Sequence, residues 1–149
     1  MRLAEQNMRL FQEADDAWNA QDLEKFASAH AKDVVVYVPA QPTQYGLEAH
    51  TEFAVNSFRT FPDQRVQNRP YKVFFASGDW VCSIARYTGT MTGPMVGADG
   101  PEIPPTGKSF DVDDPLPGTI VLRLAPPGGI EPPTPGLGIR LHRSFRFLL

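Results

Sequence analysis

The sequence predicts a single α+β domain in which a curved antiparallel sheet wraps two or three N-terminal helices. Apolar residues recur at helical spacing through the first 60 positions, and two long strand-like segments then follow, joined by Ser77-Gly78-Asp79. The 149 residues suit one domain, and the composition, with 42% hydrophobic and 21% charged residues, is that of an ordinary globular protein.

Three helices are predicted in the amino-terminal half. In residues 3–20 the apolar side chains form one stripe, made of Leu10, Phe11, Ala14, Ala17 and Trp18. Asp22 is suited to cap a short second helix that carries Phe26. The third helix is expected over residues 47–60, and Pro62 stops it because proline disfavours a helical conformation in the residue before it.

Four strands are predicted next. Residues 34–38 are β-branched and favour a buried strand, residues 65–76 and 80–92 predict two long strands, and residues 107–113 begin a fourth. In the segment from residue 80 to 92, alternation puts one set of side chains on each face: Trp80, Cys82, Ile84, Arg86, Thr88 and Thr90 on one, and Val81, Ser83, Ala85, Tyr87 and Met91 on the other. Cys82 is expected to pack as a small buried residue.

Charge and composition exclude several classes of function. The net charge of −3 argues against a nucleic-acid partner, and no apolar run approaches the roughly 18 residues of a membrane span. The N-terminal segment lacks the apolar core of a signal peptide, and the single cysteine excludes an internal disulfide. We therefore expect a cytoplasmic protein with no membrane partner.

The composition changes sharply after residue 114. Residues 1–114 carry 10 Lys and Arg against 16 Asp and Glu, whereas residues 115–149 carry four arginines and one glutamate. Ten of the 15 prolines fall between Pro101 and Pro135. We predict a folded domain over residues 1–114, followed by an atypical, partly disordered segment over 115–149. Two origins for that segment stay open, a frame change or recombination and a divergent tail.

Six short segments occur in a characteristic order: residues 17–23 (AWNAQDL), 32–35 (KDVV), 46–49 (GLEA), 61–63 (FPD), 89–93 (GTMTG) and 105–108 (PTGK). Over residues 7–113 they resemble the SnoaL-like polyketide cyclase, or ester cyclase, branch of the nuclear-transport-factor-2-like superfamily. The resemblance implies a cone-shaped α+β barrel with a deep pocket between sheet and helices, often in a homodimer. It also implies cofactor-free chemistry on small hydrophobic carbonyl compounds.

The sequence departs from this pattern near residue 113. Members of the family continue with a strand that usually carries a catalytic acid–base aspartate, and that position falls near Leu116. The flanking Pro115 and Pro117 do not suit a central strand, because proline cannot donate to the hydrogen-bond ladder. The final strands are therefore expected to be atypical, with residues 118–124 as one substitute strand.

Three residues are candidates for catalysis. Asp113, with Asp111 nearby, would abstract a proton next to a carbonyl if an apolar pocket desolvated it, and would otherwise lie exposed at a strand end. His50 would act as a general base or donor at the pocket rim, or else be a solvated helix residue. Arg86 would pair with one of the aspartates or with a substrate carbonyl or carboxylate if its face lined the cone, and would be solvated if that face pointed outward.

Aromatic and thioether side chains are available to line a pocket: Trp18, Tyr37, Phe58, Tyr71, Tyr87 and Met91. For each of them the alternative is ordinary core packing. His30 is expected to play a structural role at the end of the second helix, where a positive charge is favourable.

No metal or cofactor is predicted. The three histidines lack metal-ligand spacing, and Glu102 stands where a phosphate-binding loop ending at Lys108 would need a glycine. Three functions stay open. The first is a cyclase-type protein that acts on, or binds, a small hydrophobic carbonyl compound, by proton abstraction and aldol closure if it is active. The second is a non-catalytic ligand-binding or dimerisation domain, and the third an enzyme like a ketosteroid isomerase or an epoxide hydrolase.

Overall fold

The computed structural model describes residues 3–36, 42–77, 80–96 and 101–114, and every structural statement below concerns those ranges. The predicted segment 115–149, its substitute strand and Tyr37 lie outside them. Within them, no helix is long and apolar enough to cross a membrane.

The three predicted helices are present. Helix α1 spans Leu3–Ala20, α2 spans Leu23–Ser28 and α3 spans Gly46–Thr60. Asp22 caps α2 as predicted, since its side chain accepts a hydrogen bond from the Lys25 backbone N–H. The helix boundaries thus follow from the local sequence.

The strands differ from the prediction at two places, of which the first is a short strand over Gln44–Tyr45 that was not predicted. A short pair is formed by β1 (Val35–Val36) and β2 (Gln44–Tyr45), and the main sheet contains β3 (Arg65–Gln67), β4 (Val73–Ser77), β5 (Trp80–Thr90) and β6 (Ser109–Asp114). The single strand expected over residues 65–76 is wrong, because residues 68–72 interrupt it around Pro70. Proline has no N–H to donate, so a sheet ladder breaks there.

Strand β5 is the centre of the sheet. It pairs antiparallel with β3, β4 and β6, and its residue Tyr87 is aligned with Val66 on β3 and Val112 on β6. Helices at one face of an antiparallel sheet make this the predicted α+β fold. Within the described residues, the sheet is not closed into a barrel.

The alternation along β5 defines a concave face toward the helices and an outer face. On the concave face Val81 is fully buried and Ala85 nearly so. One core cluster joins Val81 to Phe11 of α1 and to β1, and a second cluster packs Ala17, Phe26, Ala54 and Phe58 among the three helices. Cys82, expected to be buried, is only half-buried and lies on the outer face.

The Asn19 side chain connects α1 to β3 through hydrogen bonds. Its Nδ2 donates to the Val66 carbonyl at 2.8 Å, and its Oδ1 accepts from the Val66 N–H at 2.8 Å. One side chain therefore satisfies both backbone groups of a residue in a three-residue strand.

Asn19→Ala should lower the free energy of unfolding by about 2 kcal/mol, because both backbone groups of Val66 lose their partner. Asn19→Asp keeps an acceptor for the N–H but sets an oxygen against the carbonyl, so its cost should also be substantial. Urea unfolding measures both. An Asn19→Ala variant as stable as the parent would show that this contact contributes nothing.

Candidate active site

Two of the predicted catalytic residues lie on the outer face of the sheet. Arg86 and Asp113 are opposite each other in the β5–β6 register, and both side chains are about half exposed. Arg86 binds Asp111 with two hydrogen bonds of 2.5 and 2.8 Å, and Lys72 pairs with Asp113. The hydrogen bonds from Arg86 lower the pKa of Asp111. This placement favours the solvated alternative for Arg86 and the exposed strand-end alternative for Asp113.

His50, the third candidate, is buried on α3. Its Nδ1 donates to Oε1 of Gln44 at 2.7 Å, and its ring centroid is 4.9 Å from that of His30. Burial, with a smaller effect from His30, lowers the pKa of His50 from 6.5 to about 4. His50 is therefore a neutral, enclosed ring at neutral pH, so it is neither the solvated helix residue nor a base poised near pH 7.

His30 also differs from its expected charge state. Its Nδ1 donates to the Phe26 carbonyl at 2.6 Å, so it does occupy the end of α2. Burial lowers its pKa, and the hydrogen bond to Phe26 opposes this only partly. The expected positive charge at the helix terminus is replaced by a neutral hydrogen bond.

Trp18 and Phe58, two predicted binding residues, lie together where the three helices meet. Their ring centroids are 4.8 Å apart in an edge-on arrangement, and Trp18 also packs against Phe26 at 5.6 Å and Phe53 at 6.4 Å. These contacts extend to His50, which lies 5.0 Å from Phe26. The result is one aromatic cluster bounded by α1, α2 and α3.

Tyr87 belongs to a polar group between α3 and the concave face. Its hydroxyl and that of Ser57 both donate to Oε1 of Gln64, and the Ser57 bond is 3.1 Å long. Gln64 is only 4% exposed, and the Phe110 ring packs 4.8 Å from that of Tyr87. Neutral hydrogen-bonding groups in apolar surroundings are typical of sites that orient a small organic molecule.

Tyr71 and Met91 occupy other parts of the interior. The Tyr71 hydroxyl donates to Oδ2 of Asp15 at 2.7 Å, and its ring stacks on Phe74 at 4.2 Å. Burial, and then the charge of Asp15, raises the pKa of Tyr71, so its hydroxyl keeps its proton. Met91 is buried and accepts a weak hydrogen bond from Thr106. The predicted lining residues that the structure describes, which exclude Tyr37, thus face the interior in separate groups.

Gln44, Ser57 and Gln64 were not predicted as site residues. Gln44 lies in the short strand β2, Ser57 in α3 and Gln64 between α3 and β3, and no spacing in the sequence distinguishes these common polar residues from solvated ones. The described residues also contain no group of three or more histidine, cysteine or acidic residues able to hold a metal ion.

His50 should make the protein less stable in mild acid. Its folded-state pKa of about 4 lies below the unfolded value of 6.5, so the unfolded chain takes up the proton first and stability falls as the pH drops from 6.5 toward 4. Between pH 7.5 and pH 5.0 this residue alone should remove about 2 kcal/mol of unfolding free energy. Urea unfolding at the two pH values measures the difference.

The control for this prediction is His50→Asn, whose amide can still donate to Gln44 but does not titrate. Any constant cost of the smaller side chain cancels when the two pH values are compared. The variant should lose most of the pH dependence, leaving the contribution of His30, which has the same sign. An unchanged pH dependence would contradict the assignment to His50.

The fold and this interior define a class of protein, in which helices pack over the concave face of an antiparallel sheet and enclose aromatic and neutral polar side chains. The family model described as SnoaL-like polyketide cyclase matches residues 8–115. The chain belongs to this family, and the predicted resemblance is confirmed.

Solved structures show the same fold. A protein from Jannaschia sp. CCS1 assigned as a SnoaL-like polyketide cyclase is 24% identical, with a TM-score of 0.61 over 76% of this chain and 75% of its own. A protein from Xanthomonas campestris pv. campestris, assigned as a polyketide cyclase, is 17% identical, with a TM-score of 0.61 over 75% of this chain and 78% of its own. AclR from Streptomyces galilaeus, assigned as a hydroxylase, is 22% identical, with a TM-score of 0.57 over 74% of this chain and 64% of its own. No curated protein sequence matches significantly.

Proposed function

We propose that this protein binds a small hydrophobic carbonyl compound between its helices and the concave face of its sheet, as a cyclase-type protein. The polar group of Tyr87, Ser57 and Gln64 carries the proposal. It places hydrogen-bonding groups among apolar side chains at the interface of α3 with the sheet, where a carbonyl oxygen can be bound and the hydrocarbon frame enclosed. Membership of the polyketide cyclase family supports the same class of ligand.

The experiment that tests this is methyl NMR with 9-fluorenone, a rigid aromatic ketone, as the probe. Binding at the concave face should shift the methyl resonances of Val81, Ala85 and Met91 and leave those of Val73 and Ile84 on the outer face unchanged. Saturable shifts confined to the first group would support the proposal. Shifts confined to the outer face, or none at millimolar ketone, would contradict it.

Catalysis by proton abstraction and aldol closure is the finer part of the proposal. Such a reaction needs a base beside the bound ketone, and the exposure of Asp111 and Asp113 favours the non-catalytic, ligand-binding alternative. The assay is aldol closure of a linear aryl 1,5-diketone to the β-hydroxy ketone, followed by loss of water to give the cyclohexenone. Turnover that survives Asp113→Asn would remove Asp113 from the mechanism, whereas turnover that is lost in a folded Asp113→Asn variant would identify Asp113 as the base. If the parent protein shows no turnover, the non-catalytic, ligand-binding alternative remains.

We further propose that a second copy of this chain covers the outer face. Phe75 is 56% exposed and Val73 37% exposed, and their cross-strand neighbours Cys82 and Ile84 extend the apolar surface. Beside it lie the opposite charges of Lys72, Arg86, Asp111 and Asp113, so the face can complement a rotated copy of itself.

Sedimentation equilibrium tests the dimer. The parent should be dimeric and Phe75→Glu monomeric, because a buried carboxylate without a partner is strongly unfavourable. Val55 on α3 is 45% exposed, so Val55→Glu is the matched control and should remain a dimer. A monomeric parent, or a dimeric Phe75→Glu variant, would contradict the proposed interface.

A further inference from the structure

Three side-chain N–H groups are buried without a hydrogen-bond partner among the described residues: Nε1 of Trp18, Nε2 of Gln44 and Nε2 of Gln64. All three are donors, and no buried side-chain acceptor in the described part of the chain is left without a partner. Leaving a buried donor unpaired costs roughly 1–3 kcal/mol, so folded proteins keep few of them without a reason.

All three donor residues contact the same helix, α3. Gln44 is bonded to His50, Trp18 packs against Phe58, and Gln64 is bonded to Ser57, and all three partners belong to α3. His50 and Ser57 are seven residues apart and so lie on the same side of the helix, separated by about 10 Å along its axis. Each of the three donors thus belongs to a side chain that contacts α3, and together they are called the donor row.

The oxygens of both amides are already occupied. Oε1 of Gln64 accepts from Ser57 and Tyr87, and Oε1 of Gln44 accepts from His50. In this arrangement the NH₂ group is the part of each amide that remains for another molecule. A bound molecule with acceptor oxygens would satisfy these groups, whereas one that offers only donors would not.

We propose that this donor row selects ligands by their acceptor oxygens, and that Gln64 is the residue that binds the carbonyl oxygen. Gln64 lies on the sheet side of α3 and has only 4% of its surface exposed. Its hydrogen-bond partner Tyr87 lies on the concave face. The inference rests on the proposed function, because it names the group that recognises the ligand of that site. Trp18 and Gln44 provide further donors for molecules with more than one oxygen.

The test compares 9-fluorenone with fluorene, which has the same three-ring frame with a methylene in place of the carbonyl. The parent protein should bind fluorenone about tenfold more tightly, as one additional hydrogen bond in a dry site implies. Gln64→Met removes the donor and should therefore bind the two compounds with equal affinity. Gln64→Glu keeps an oxygen for Ser57 and Tyr87 but replaces the NH₂ group, so it should favour fluorene.

The control variant is Gln67→Met, at an exposed position of β3, which should keep the tenfold preference. If the parent binds both compounds equally, the donor row is overturned without the need for any variant. A preference that persists in Gln64→Met overturns the role of Gln64 while the proposed function stands. Binding of neither compound overturns the proposed function and the donor row together.

Discussion

Phe11→Ala should lower the free energy of unfolding by about 3–5 kcal/mol, because it removes a large buried aromatic side chain from the core. Phe11 is only 6% exposed and joins α1 to Val34, Val36 and Val81 in the principal core cluster. Its ring lies 5.9 Å from that of Phe74 and 6.1 Å from that of Tyr71. Removing it leaves a cavity between α1 and the sheet that rigid strand neighbours cannot fill.

The control is Phe75→Ala, the same chemical change on the outer face, where the side chain is 56% exposed. Measured by urea unfolding at a concentration where both variants are monomeric, its cost should stay below about 1 kcal/mol, since little area is removed from water on folding. Equal losses for the two variants would contradict the assignment of the concave face.

Gly93→Ala should destabilise the protein by about 3 kcal/mol. A Cβ atom at this position would lie 1.8 Å from the Arg59 carbonyl oxygen and 3.2 Å from Cα of Thr60. Both atoms belong to the backbone at the end of α3, where the Gly93 N–H also donates to the Thr60 carbonyl at 3.0 Å. The methyl group can fit only if the chain separates from the helix terminus, which breaks that hydrogen bond.

Gly107→Ala provides the comparison for this prediction. Gly107 has φ +69°, a conformation that favours glycine, but a Cβ there would meet no atom within 4 Å. Its substitution should therefore cost only the backbone strain, about 1–2 kcal/mol. Differential scanning calorimetry of the two variants separates the effects. Gly93→Ala should melt well below Gly107→Ala, and the reverse order would show that contact with Arg59 is not what limits position 93.

The two faces of β5 show why the family could be predicted from the sequence whereas the placement of the site residues could not. Alternation along the strand correctly separated Arg86 from Tyr87, but a period of two is the same whichever face points inward. Only packing against the helices shows that Val81 and Ala85 are buried and that Arg86 is paired with Asp111 in solvent. Asp113, which is close in sequence to the family's catalytic position, therefore lies on the opposite side of the sheet from the aromatic interior.

His50 and Gln64 illustrate the same limit for single residues. A histidine between two glutamates on a helix is consistent with exposure, yet the stripe that it shares with Ala54 and Phe58 faces α2. Gln64 follows a helix-ending proline and has no distinguishing neighbour in sequence. Both side chains acquire their chemistry from partners distant along the chain, such as Tyr87 for Gln64.

By itself, the sequence determined the α+β class, the extents of the three helices, the cap at Asp22, the strand β5 and the family. These depend on local propensity, proline and hydrophobic periodicity, which act over a few residues. The tertiary structure alone decided the inward face of the sheet, the neutrality of His30 and His50, and the unpaired donors beside α3. Those properties depend on desolvation and on contacts between elements, which exist only after the helices have packed against the sheet.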